Sequence, residues 1–426
     1  LLNFRRAARA CAGVLILGTG VSACAATSGP AGTVTFVESV PAETTLGLPD
    51  VAQAAEVWPA VIAAAKQRIQ VASFYYSRIG DGRDAAAPAG TPDRLLPALD
   101  ALRMAAGRGV QVQMLADGKF LKTYPEVPAL FGKTAGAEVR VLDAGRLWDG
   151  ILHAKYMLLD DDAFFVGSQN WDWRALDQIH ELGVLVRQPE LARQVRSVFE
   201  LDWALAGDPT TAAAPVPDAR QKDLFTLAGE TLTTAGGVEV RGIFAASPRR
   251  ALPADVPWDL PLLVDLIDSA RDSVHLQLLS YGVTDREGRL FEDLDSALRR
   301  AAARNVEVRV IVSNWSLSSY KVPWLQSLAV LPHLEIRFTT IPEYSKGFIP
   351  FARVEHAKYL TVDGQGLWIG TSNWSRDYFH NSRNLSLFLL GPGATVDPDR
   401  FFNRSWHSSY AETMTGAGHY EEPRRN

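Results

Sequence analysis

Two segments of the 426-residue chain repeat one another without a gap, HAKYMLLDDDAFFVGSQNW from His153 and HAKYLTVDGQGLWIGTSNW from His356. His153 and His356, Lys155 and Lys358, Asp160 and Asp363, Gly167 and Gly370, Asn170 and Asn373, and Trp171 and Trp374 each stand 203 positions apart. A register held over the whole block means that the chain folds as two copies of one unit.

The signals around each copy come in the same order. In the first half a helical pattern, VWPAVIAAAKQRI, leads to the strand IQVASFYY, a second helix ends at Arg108, and the strands GVQVQMLA and EVRVLD follow. In the second, LPLLVDLIDSAR leads to SVHLQLLSY, a helix ends at Arg304, and NVEVRVIV and LEIRFTT follow. Helices alternating with strands predict an α/β sheet in each half. The stretch AGDPTTAAAPVPD is the richest interior run of Pro, Ala and Thr and marks the join. The expected division is an N-terminal lobe at 34–207, a linker at 208–235 and a C-terminal lobe at 236–426.

The first 24 residues read as a signal peptide: Arg5, Arg6 and Arg9, an apolar run too short to span a bilayer, then small residues. Val21-Ser22-Ala23-Cys24 resembles a lipoprotein box with Cys24 as the lipidation site, plain signal cleavage being the alternative. Residues 25–33 would then be a tether, and the protein would be exported to a bacterial cell envelope or periplasm, lipid-anchored at the membrane, or secreted. Cys11 and Cys24 are the only cysteines, so the body has no disulfide, thiol nucleophile or thiolate metal site. A net charge of −5 offers no global attraction to a polyanion, so any phosphate must be held locally.

A strand alternates its faces, so His153 and Lys155 project to one side, as do His356 and Lys358. Alone, either copy reads as a buried strand with a polar start; the duplication favours a reactive site built from both. If the halves pair about a pseudo-twofold axis, the two histidines meet with the lysines and asparagines around them. One imidazole can then attack phosphorus while the other protonates the leaving oxygen. The lysines, Asn170 and Asn373 would hold the non-bridging oxygens. This scheme calls for no metal and no cofactor, and the chain carries no H-E-x-x-H and no P-loop.

The doubled HAKYMLLD…GSQN and HAKYLTVD…GTSN resemble the signature of the phospholipase D superfamily. VESVPAE, ASFYYS, GSQNWDWRALDQIHELGVLV, IPFARVEHAKY and GTSNWSRDYF are similar to the subfamily containing the mammalian lysosomal 5′-exonucleases. The resemblance spans about residues 34 to 410. It implies two similar α/β/α lobes with one active site at their interface, and cofactor-free phosphodiester chemistry through a phosphohistidine. It carries His153, Lys155, Asn170, His356, Lys358 and Asn373 into that site. Asp160 and Asp363 are then structural, holding the motif strand and its turn, and Ser168 and Thr371 support the asparagine loops.

The copies differ eleven residues past each asparagine, where Glu181 faces Asn384. A carboxylate behind an imidazole supports its positive charge. If Glu181 backs His153, then His153 is the nucleophile and His356 the general acid; the alternative is a strand-start residue paired with a nearby cation. Phe74, Tyr75, Tyr76, Trp148, Tyr281, Trp315, Tyr344 and Phe348 are candidate pocket aromatics, and Lys346 and Arg353 candidate steering cations. The expected partner is a phosphodiester. Single-stranded nucleic acid comes first, cleaved from a 5′ end; the alternative is a phospholipid, hydrolysed or transferred as by a cardiolipin synthase. An inactive binding or envelope-type member is the third reading. His180, His275, His333, His380, His407 and His419 show no partner pattern and read as structural.

Overall fold

The alternation read from the sequence appears in both halves of the computed structural model, which describes residues 32–82, 87–208, 223–285 and 288–426. The expected leader with Cys24, and most of the tether, lie outside the described residues. In the N-terminal half, helix Ala54–Ala64 precedes strand Arg68–Ser73, and helix Leu96–Gly107 precedes strands Gln111–Asp117 and Ala137–Leu142. The first helix buries Ala54, Trp58 and Ile62, four apart on one face. It stops at Ala64, short of the predicted Ile69, because Asp160 takes the backbone N–H groups of Lys66, Gln67 and Arg68 at 2.7–3.1 Å.

The sheet order in this half, from the outer edge inward, is Ala137–Leu142, Gln111–Asp117, Arg68–Ser73, Tyr156–Leu159, Ala163–Gly167, Glu181–Arg187 and Gly32–Ser39. The outer three strands run parallel and the inner pairings are antiparallel. The C-terminal half repeats this with Leu334–Thr339, Glu307–Ser313, Ser273–Leu278, Tyr359–Val362, Gly366–Gly370, Asn384–Leu390 and Glu239–Ser247. Register follows the repeat: Gly167 faces Gly183, and Gly370 faces Ser386.

Part of the expected linker is ordered structure. Strand Glu230–Thr234 pairs with both Gly32–Ser39 and Glu239–Ser247, making the two half-sheets one continuous sheet. Helix Pro189–Gly207 starts where the Gln188 side chain accepts the Leu191 N–H, with Pro189 in the first turn. It and its counterpart Val396–Trp406 bury Val195, Phe199, Phe401 and Trp406 in a single core shared by both lobes. Each such side chain contributes about 1.5–3 kcal/mol through burial. Two further cores lie on the outer faces, one mainly in each lobe, with Leu279, Tyr344, Ile349, Ala352 and Val354 of the C-terminal lobe joining the N-terminal one, so the motif strands are buried at every residue. Among the described residues no helix is long and apolar enough to cross a membrane.

Candidate active site at the lobe interface

Each motif histidine is docked against the opposite lobe. The His153 N–H donates to the Arg383 carbonyl at 3.0 Å, and the His356 N–H to the His180 carbonyl at 2.9 Å. Leu152 bridges Arg383 as Glu355 bridges His180, the same pairing moved by one repeat. The residue after each acceptor is the one that holds the facing imidazole: Asn384 for His153 and Glu181 for His356.

That exchange corrects the sequence reading and removes the ground on which it made His153 the nucleophile, since the histidine that Glu181 backs is His356. Glu181 stands in the same lobe as His153 but reaches Nδ1 of His356 at 2.7 Å, while Asn384 Oδ1 lies 3.0 Å from Nδ1 of His153. The cause is the pair of bridges that cross between the lobes: a residue opening one lobe's inner strand lies beside the other lobe's motif, which linear spacing does not reveal. Asn384 is fixed in its amide orientation, since its Nδ2 donates to the Tyr378 carbonyl at 2.7 Å and its Oδ1 also accepts from Thr371 Oγ1 at 2.8 Å. His153 Nδ1 therefore carries the proton, leaving Nε2 with its lone pair. Lys155 Nζ lies 3.0 Å from that Nε2 and donates to it.

The glycine and hydroxyl of each G-[ST]-x-N segment set this geometry. A Cβ on Gly167 would meet Gln169 Oε1 at 2.4 Å and Gly183 Cα at 2.6 Å, and one on Gly370 would meet the Leu385 carbonyl at 2.8 Å. The chain then turns so that Ser168 Oγ accepts the Leu182 N–H at 3.0 Å and Thr371 Oγ1 the Leu385 N–H at 3.1 Å. Both hydroxyls pin the strand at the residue next to Glu181 or Asn384. Asp160 and Asp363 lie far from this chemistry. Each accepts three consecutive N–H groups of the turn before its lobe's Arg68–Ser73 or Ser273–Leu278 strand, from a left-handed conformation with φ of 49° and 52°.

His153, His356, Asn170 and Asn373 line one cavity of about 370 Å³. Lys155 and Lys358 are buried beneath it, each also donating to its own histidine's carbonyl. Burial, then the Lys155 and Lys358 charges, hold His153 well below the ordinary imidazole range; burial and then the Lys358, Lys155 and His153 charges do the same to His356. Lys358 is pushed down to about 7 by burial against the opposing pull of Glu181 and Glu355, and Lys155 is likewise lowered by burial and by Lys358. Burial raises the Glu181 carboxyl, with Lys358 working against it. An anionic group entering the cavity counters the desolvation of all these cations at once. Among the described residues no three or more His, Cys, Asp or Glu side chains cluster as metal ligands.

The walls are aromatic. Phe74, Tyr75, Phe120 and Tyr124 come from one lobe and Trp315, Phe351 and Tyr378 from the other. Tyr75 and Tyr124 stack at 4.7 Å, Asn170 donates to the Tyr75 hydroxyl at 3.3 Å, and His153 packs against Phe74 and edge-on to Tyr378. Of the aromatics read from sequence, Phe74, Tyr75 and Trp315 reach the cavity. Tyr76 and Tyr281 are core, with hydroxyls on the Leu115 carbonyl and Asp295, and Trp148 is buried beneath the Arg383 guanidinium. Tyr344 and Phe348 lie outside the lining. Phe120 and Tyr124 were missed because only tertiary folding brings them to the motifs; Phe351 and Tyr378 were missed although each lies five residues from a motif residue, His356 or Asn373.

Neither steering cation is free. Arg353 is buried and donates to the carbonyls of Pro342 and Ala42, and Lys346 to that of Gly90. His180 pairs with Glu355 at 2.9 Å beneath the site and stacks on Phe401. A more open depression of about 540 Å³ on the flank includes Arg400 and Arg404, yet Arg400 is spent on Asp50 and Asp397, and Arg404 donates to the Gly47 carbonyl.

The family model described as cardiolipin synthase, PLD-like domain, matches residues 60–203 and again 263–406. A 5′-3′ exonuclease PLD3 of Xenopus laevis is 30% identical over 386 residues, 86% of this chain and 77% of its own. Phospholipase D Z of Dictyostelium discoideum is 28% identical over 90% of this chain and 91% of its own. Among solved structures, phosphatidylserine synthase of Haemophilus influenzae shares the fold, with a TM-score of 0.55 and 14% identity over 84% of this chain and 85% of that one.

Proposed function

The chain belongs to the phospholipase D family and is a phosphodiesterase of that superfamily, and from that premise we propose that it cleaves single-stranded nucleic acid from a 5′ end through a phosphohistidine on His153. The observation that carries the chemistry is the unequal holding of two imidazoles on one cavity. His153 is neutral, its Nε2 lone pair held toward Lys155; His356 has a carboxylate at 2.7 Å that supports its protonated form. His153 Nε2 attacks phosphorus, the bond to the leaving oxygen breaks, and that oxygen takes the proton from His356 Nε2. Water then attacks the phosphohistidine and gives its proton to His356, the P–N bond breaks, and His153 is restored. Lys155, Lys358, Asn170 and Asn373 supply positive charge and donors to the non-bridging oxygens.

The relatives' names divide between exonuclease and phospholipase D, so the substrate rests on the cavity. Its rings suit stacking on unpaired bases, about 1–3 kcal/mol each, and about 370 Å³, at the small end of ligand-sized pockets, suits the free end of a chain rather than its middle. The second reading, a phospholipase or phosphatidyl transferase, is favoured by the aliphatic lining from Ile151, Ile179, Leu279 and Val354. A panel of 5′-labelled single-stranded DNA and RNA, phosphatidylcholine and phosphatidylglycerol, with EDTA throughout and His153→Ala as control, separates them. The expected result is stepwise shortening of the oligonucleotides from the 5′ end, unaffected by EDTA and absent in the variant. Phosphatidic acid without nuclease products would replace the first reading by the second, and turnover of nothing would point to a binding protein. An exported, lipid-anchored enzyme is the companion proposal; labelling by a palmitate analogue that vanishes in Cys24→Ala tests it.

A further inference from the structure

Two cavity-lining aromatics from the C-terminal lobe, Trp315 and Phe351, are held by a segment that plays no part in the mechanism. The Phe351 N–H donates to the Arg425 carbonyl at 2.8 Å, and Arg425 Nη2 donates to the Trp315 carbonyl at 3.0 Å. The Arg425 guanidinium lies 5.3 Å over the Trp315 ring and pairs with Glu422, and Arg424 lies 4.0 Å over Phe348. Arg425 Nε is buried without a partner.

Phe351 has φ of 55° and Arg353 φ of 56°, the left-handed region that bulky side chains avoid. Such a conformation persists only where the surroundings over-determine it. Here they do: Arg174 Nη1 donates to the Pro350 carbonyl, Arg353 is pinned as described, and Arg425 grips Phe351 itself. Contacts from Ala42, Arg174, Pro342 and Arg425 hold a loop whose product is one half-buried, edge-on aromatic pair, Trp315 and Phe351 at 6.2 Å and 84°.

Building on the nucleic-acid reading, we infer that Trp315 and Phe351, braced by Arg425, form a second subsite that takes the planar base next to the one whose phosphodiester is cut, and that Arg425 is its positioning residue. The first base has the Tyr75 and Tyr124 stack on the other lobe. A cation over one face of Trp315 both fixes that ring and strengthens it as a platform, which a loop held by apolar packing alone would not do. Discrimination between a dinucleotide unit and a small diester then resides at this rim, outside the motifs.

The test compares wild type, Arg425→Ala and Arg425→Lys on methyl 4-nitrophenyl phosphate and on a fluorescein-labelled oligothymidylate ten-mer, and measures anisotropy of the same ten-mer on His153→Ala with and without Arg425→Ala. Arg425→Ala is expected to raise the ten-mer KM and Kd about five- to tenfold while kcat and all small-diester kinetics stay within twofold. Arg425→Lys, which keeps the charge but loses the planar fork, should restore only part. Equal losses on both substrates would make Arg425 merely structural, and unchanged ten-mer affinity, or no ten-mer binding to His153→Ala at all, would overturn the subsite. Failure of wild type to cleave the small diester would instead sink the phosphodiester chemistry beneath it.

Discussion

At His153 the Nδ1 proton is given to an amide oxygen, and at His356 it meets a carboxylate, so two identical side chains at equivalent positions are unlike acids. A group that must leave as a nucleophile and one that must arrive protonated are separated by that single difference between Asn384 and Glu181. With a 4-nitrophenyl leaving group, which departs without protonation, His356→Ala should release one equivalent of nitrophenol in a burst and trap phosphate on His153. His153→Ala should show no burst, and phosphate found on His356 in the wild type would reverse the roles. Glu181→Gln should lower kcat about 10²- to 10³-fold on substrates with poor leaving groups and far less on the nitrophenyl ester. Lys358 adds an alkaline limb of its own to the one set by loss of the His356 proton. Burial holds it at about 7, so its ammonium is lost as pH rises through that value, and kcat/KM should fall about tenfold per unit above it. In Lys358→Arg, always charged, that alkaline limb should disappear while the maximal rate also drops.

Between residue and fold stand the motif strands and the turns that anchor them. Asp160 and Asp363 read from sequence as structural, and their six backbone acceptor contacts show what they hold. The turn they hold, however, precedes a neighbouring strand, because the partner of a motif carboxylate lies about ninety residues back. Removing either as Asp→Ala deprives three N–H groups of the turn of a charged acceptor, and stability should fall by about 1–3 kcal/mol. Urea midpoints check this, with kcat per folded molecule retained. Gly167→Ala should destabilise by a similar amount through the clash with Gly183, and it should also impair turnover, since Ser168 and the Glu181 strand move with it.

At the scale of the whole molecule, the lobes are fused by one sheet, one shared core, the buried hydrogen bond between His180 and Glu355 and the buried ion pair of Arg383 with Asp202. The latter is bidentate at 2.7–2.8 Å, with further bonds from Arg383 to the carbonyls of Ser247 and Ala251. A single cooperative unfolding transition is therefore expected by calorimetry. Arg383→Ala, which leaves Asp202 buried and unpaired, should cost about 3–5 kcal/mol and weaken both lobes together. Two separated transitions would contradict the shared core.

What the sequence by itself determined is everything that repeats or alternates. Periodicity marks the helices and strands, and the offset of 203 marks the twofold plan and, with it, the meeting of His153, Lys155, Asn170, His356, Lys358 and Asn373 near one site. What only the tertiary structure decided is which lobe serves which histidine, which aromatics reach the cavity, and that Arg353 is a brace and 230–234 a strand. These depend largely on contacts between residues far apart in the chain, such as the 175 and 231 positions that separate Glu181 from His356 and Asn384 from His153, where neither periodicity nor spacing carries a signal. Glu181 is the clearest case: its place opening an inner strand was legible, but the imidazole it faces follows from how two twisted half-sheets meet, a matter of packing rather than order along the chain.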